Sequence, residues 1–317
     1  MKKRIRHKTI LLMNISLLAF GGAYAGANVT GSYLYNLSDF GGNIPYDWSR
    51  LAVDRERDEV YVLYKNYINV FNSSGMQVYT FGDDEYLGHI IDVAIDRKGD
   101  ILLLVYENTK TPVLIHCNFR GVPASKKEIS DLYPEFPGFR PNRMIYRNGN
   151  LYLASTRQKK IVVTDPDGNF REGYDIEPML ELSEEEKKKV IDIEMIGFSV
   201  DSDGNMLFTI PVLFKVFILS PDRKLAYFGK PGGAPGKFGI LGGVIRDSQG
   251  NFIVTDKLKA TVMVFDRDYN YITQFGFYGL RPENLVAPDD IVIDRDNRLY
   301  ITQGRRRGVS VYKLTYD

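Results

Sequence analysis

The sequence holds few of the residues on which metal and redox chemistry depends. Its 317 residues include one cysteine, three histidines and one tryptophan. The lone Cys117 excludes an internal disulfide, a cysteine metal cluster and a CxxCH haem attachment, so the fold must rest on its core. His7 lies in a basic N-terminal segment, which leaves His89 and His116, too few for a three-histidine zinc centre. No serine nucleophile elbow, P-loop or HExxH motif occurs. Long apolar runs are also missing. The longest, from Thr9 to Phe20, is shorter than the roughly 20 residues that cross a bilayer, so membrane insertion is not expected.

The N-terminus carries a signal of its own. Lys2, Lys3, Arg4, Arg6 and Lys8 precede the apolar run, and Ala23, Tyr24 and Ala25 follow it as a small-x-small step. This order predicts a secretory signal peptide over 1–25, cleaved after Ala25, and a periplasmic or secreted mature chain. Cleavage removes five of 41 basic residues and no acidic one, leaving 36 against 40 and a net charge of about −4. A general polycation for nucleic acid is thereby excluded, and the export signal further disfavours a nucleic-acid partner.

Downstream, short β-rich runs recur in units of four, separated by polar turns. Six units span about 48–82, 91–125, 141–176, 195–229, 242–276 and 288–317. Asn and Gly corners such as Asn148-Gly149, Gly204-Asn205 and Gly250-Asn251 mark one set of turns. Four-stranded units of this length predict an all-β, six-bladed β-propeller. The sixth unit ends after three strands, whereas residues 31–40 read as an orphan fourth strand resembling Tyr271–Gly279. Pairing 31–40 with Val309–Lys313 would close the ring and leave no exposed edge.

The fifth unit is the most diagnostic. It runs from the Gly- and Pro-rich stretch Phe228–Gly239 through Gly243–Arg246, the Gln249-Gly250-Asn251 turn and Phe252–Asp256 to Val262–Asp266. It resembles an NHL repeat, and the resemblance extends over about 31–317, with the third unit degenerate because Tyr146 stands where others carry Asp. The resemblance implies the propeller fold but not one activity, since similar propellers serve as RNA readers, sensors, scaffolds and enzymes. It also places such bacterial chains beside exported multihaem cytochromes. Asp54, Asp96, Asp201 and Asp294 recur at the ends of innermost strands. They read as turn-formers in preference to ligands of a channel calcium ion, although a structural calcium there is compatible with them. No other cofactor is expected.

Charge is distributed by position. The loops between second and third strands hold Lys65, Lys110, Arg157, Lys159, Lys160, Lys215, Lys257, Lys259, Arg305, Arg306 and Arg307, eleven basic residues against Glu107 and Asp256. Blade-to-blade loops on the same face add Tyr86, Tyr133, Phe136, Phe139, Phe238 and Tyr278, with Arg140, Arg143, Lys237 and Arg281, a mixture favoured at interface centres. Asp83, Asp84, Glu85 and Glu135 partly offset the charge. Ser183 and Glu186 form a capping box that predicts a short helix over about 184–192. His116 and Cys117 alternate along a strand, which predicts a buried Cys117. Together these features favour a non-catalytic scaffold that engages a protein or an anionic polymer through its basic loop face. The alternative is a metal-dependent hydrolase or lyase with a site in the central channel.

Overall fold

The computed structural model describes residues 29–82, 87–107, 111–129, 133–189 and 194–317. The predicted signal peptide, the acidic Asp83–Glu85 run, Tyr86, Lys110 and residues 190–192 of the predicted helix lie outside this set. No helix among the described residues is long and apolar enough to cross a membrane.

Six four-stranded antiparallel sheets form the blades of a propeller. Their innermost strands are Arg50–Asp54, His89–Ile95, Arg143–Arg147, Ile196–Val200, Leu241–Arg246 and Ile291–Ile293. Each blade steps outward through hairpins, and its middle strands are buried on both faces. Ile101 to Val105, five consecutive apolar residues, are all fully buried. Such unbroken apolar runs suit strands sandwiched between neighbouring blades. Six apolar clusters fill the six blade-to-blade contacts, and the cluster joining blades 6 and 1 includes Leu37, Val62, Tyr300 and Val311.

The ring closes as the sequence predicts. Val29–Asn36 is the outermost strand of blade 6 and pairs antiparallel with Val309–Tyr316, with Ser32 opposite Lys313 and a register shift between Tyr33 and Tyr35. Tyr33 meets Tyr312 edge to face, and a Cβ on Gly31 would fall 2.4 Å from the Phe275 ring, so that glycine admits the neighbouring blade.

The recurrent aspartates form turns. Asp201 Oδ1 accepts the N–H groups of Asp203 and Asn205 at 2.9 Å each, and Asp96 and Asp294 repeat the pattern. The helix covers Glu184–Lys189, and its capping box is complete: Ser183 N–H donates to Glu186 Oε2 at 2.9 Å, and Glu186 N–H donates to Ser183 Oγ at 3.2 Å.

Candidate functional site: a loop face over a plugged channel

The loops between second and third strands share a face with the blade-to-blade loops, and the predicted basic residues differ in what they do there. Lys159 pairs with Glu177 at 3.2 Å, Lys215 with Glu186 at 3.1 Å and Lys257 with Asp289 at 2.8 Å. Lys259 donates to the carbonyls of Ala234 and Lys237, and Arg307 to those of Leu280, Arg281 and Asn284. These cations tie neighbouring loops together, which removes much of their charge from solvent. Burial also lowers the Lys259 pKa from its usual value. Lys65 lies over the Tyr64 ring and Lys160 over Phe136, while Arg157, Arg305 and Arg306 are exposed.

The aromatic residues divide differently from the sequence expectation. Tyr133, Phe136, Phe139 and Phe238 are buried in blade-to-blade packing, not displayed on the surface. Their loops fold back over blade edges that would otherwise expose apolar side chains. Tyr278 does reach solvent, at 61% exposed, and belongs to a sector the sequence did not single out. Phe277 and Leu280 of the same loop are exposed at 62% and 84%, and Leu258, Ile240 and Trp48 are exposed on other loops of the face. The loop after blade 5 is tied to blade 6 by Arg307, which donates to the carbonyls of Leu280 and Arg281. A Cβ on Gly276 would approach the Ala260 carbonyl at 3.4 Å, one on Gly239 would meet Leu258, and one on Gly304 would meet the Trp48 indole. Arg305 Nη1 donates to the Tyr278 hydroxyl at 3.2 Å, which places cationic groups at the edge of the apolar surface.

Arg143 is the main correction. The sequence reading assigns it to an exposed loop, but it opens the innermost strand of blade 3 and is 4% exposed. Its Nη2 lies 3.2 Å from Asp290 Oδ2 of blade 6, and its Nε lies 3.3 Å from Asp92 Oδ2 of blade 2. The carboxylates are fixed in turn by backbone donors from the next blade: Met144 N–H to Asp92 at 2.8 Å and Leu51 N–H to Asp290 at 3.4 Å. Burial raises the Asp92 pKa, opposed by Arg143 and Arg50. Burial works against the charge of Arg143, but Asp290 and Asp92 outweigh it and hold its pKa above the usual value. The triad bridges three blades and closes the channel near the loop face. Below it, the channel opens as a cavity of about 280 Å³ toward the opposite face.

No three His, Cys, Asp or Glu side chains among the described residues come together to hold a metal. Asp54, Asp96, Asp201 and Asp294 are each engaged by their own turns. His89 is exposed, and Cys117 is buried, with its thiol pKa pushed up to about 12 by desolvation.

Residues 240–317 match a family described as a 6-bladed beta-propeller. No curated protein matches the chain. Among solved structures, the chain is similar to virginiamycin B lyase from Staphylococcus aureus, with a TM-score of 0.57, 12% identity and coverage of 90% of this chain and 99% of that one. A putative gluconolactonase aligns with a TM-score of 0.58 at 13% identity, covering 92% and 93%. An auxiliary nutrient binding protein from Bacteroides thetaiotaomicron aligns with a TM-score of 0.58 at 12% identity, covering 91% of this chain and 77% of that one. At these identities the likeness establishes the propeller fold alone.

Proposed function

We propose that this chain is an exported, non-catalytic binding propeller that docks a protein with an acidic surface on the blade 5 and 6 sector of its loop face. One observation carries the reading: Phe277, Tyr278 and Leu280 are exposed on one loop beside Arg281, with exposed Arg305 donating to the Tyr278 hydroxyl and Arg306 next to it in sequence. Large apolar side chains gathered on one face, edged by arginines, have the composition of an interface centre and its rim. The channel beneath that face is closed by paired charges, which favours recognition across the surface over chemistry at the axis. Neighbouring folds include a lyase and a nutrient binding protein, so the fold does not choose between catalysis and binding.

The test is cross-linking in intact cells with the parent chain, with Tyr278→Ala/Leu280→Ser and with Arg305→Glu/Arg306→Glu. One neighbour should be captured by the parent and lost from both variants. Capture unchanged in both variants would refute the docking sector.

A further inference from the structure

The opposite mouth of the channel has an excess of cationic groups that the fold does not neutralise. Arg55 follows the innermost strand of blade 1, and Arg147 ends that of blade 3; both line the 280 Å³ cavity. Arg55 Nη2 donates to the Ile293 carbonyl at 3.2 Å, and Arg147 Nε donates to the Val200 carbonyl at 3.1 Å. Among the described residues neither has a carboxylate at ion-pair distance. The acids around them are engaged elsewhere: Asp54 by Arg57, Asp201 by Arg246, Asp294 by Arg298 and Glu56 by Arg295. Asp96 also lines the cavity, and its Oδ1 accepts the N–H groups of Lys98 and Asp100. Arg97 and the Asp201-paired Arg246 also line the cavity, above the floor residue Arg143.

Both cations sit in an unfavourable place. Desolvation lowers the pKa of Arg55. It also lowers that of Arg147, to about 10, with repulsion from Arg55 adding to the effect. Asp294 favours the charge of Arg55 and Asp201 that of Arg147, but desolvation outweighs each, and a bound anion would relieve the remaining repulsion. Val53, Ile145 and Val292 supply partly exposed apolar wall beside them. The cavity is at the small end of the range for ligand sites, and its ion-plugged floor makes it a blind pocket.

We propose that this mouth binds a small organic carboxylate, its charged group held between Arg55 and Arg147 and its apolar body against Val53, Ile145 and Val292. Guanidinium groups suit this role because their planar donors match the two carboxylate oxygens. The site lies on the face opposite the docking sector, so it stands or falls independently of that reading.

Titration calorimetry of the mature chain at low ionic strength tests it, with benzoate, hexanoate and inorganic phosphate as probes. One equivalent of benzoate or hexanoate should bind saturably, phosphate at least tenfold more weakly. Arg55→Met and Arg147→Met should each weaken carboxylate binding at least tenfold, while melting without ligand at or above the parent temperature. That second readout separates a lost site from a lost fold. The proposal is overturned if neither carboxylate gives heat at 10-millimolar concentration, on the order of the weakest affinities such small ligands show. Phosphate binding as tightly as the carboxylates, or full binding by both variants, would also overturn it.

Discussion

Arg143 of blade 3 reaches Asp290 of blade 6 across the propeller axis, 147 residues away in sequence, with Nη2 and Oδ2 3.2 Å apart. Breaking a buried pair strands the remaining charge, whereas removing all members together is far milder. Arg143→Met should therefore lose about 3–5 kcal/mol at pH 7, read from urea unfolding. Asp92 would then keep only Arg50 as a cation to oppose its burial, and its folded pKa, already raised by burial, would rise further above the unfolded one. The folded state would bind protons more tightly, so the deficit should shrink as pH falls from 7 toward the unfolded carboxylate range. A variant that unfolds at the parental urea concentration at pH 7 would show that the triad is not a structural tie.

The closing strand has a similar global role. Deleting residues 29–36 exposes the edge of Val309–Tyr316 and removes Val29 and Tyr33 from their contacts. The loss should be at least about 3 kcal/mol from apolar burial alone. It should lower the melting temperature of the whole ring, as followed by calorimetry. An unchanged transition would mean that the ring holds without its clasp.

Gly197 is held at φ +62°, and a Cβ there would lie 2.4 Å from the Gly242 carbonyl oxygen of the next blade. Gly197→Ala combines left-handed strain with a backbone clash. We expect a loss of at least about 2 kcal/mol in denaturant unfolding. Parental stability would place the inner strands of blades 4 and 5 farther apart than this packing.

Cys117 should resist thiol reagents in the native protein. Its sulfur is buried, and with a pKa of about 12 almost none is thiolate at pH 8. Labelling by an aromatic disulfide should be negligible until denaturant is added, and then reach one thiol per chain. Rapid native labelling would show that strand Thr111–Cys117 opens locally.

Much of the fold was readable because its determinants are local. Each hairpin carries its own Asp, Asn or Gly corner, and the unit repeats often enough for its missing strand to be noticed. The helix start was also local, written in Ser183 and Glu186. The loop face was only partly readable. Lys159 and Lys257 are basic by composition, but their partners Glu177 and Asp289 lie in separate loops that meet only in three dimensions. Tyr133 and Phe139 could not be told from surface aromatics, because nothing near them in sequence shows that their loop folds inward. Arg143 was the hardest to place. Strand alternation cannot reveal that a side chain at the head of an innermost strand meets acids from two other blades.

The plug formed by Asp92, Arg143 and Asp290 turns the propeller's hole into a well with a floor. A molecule entering at Arg55 and Arg147 must leave by the mouth it entered, so arrival and departure share one route. Traffic there does not pass the loop face. The two ends of the axis are thus walled off from one another by the buried ion cluster.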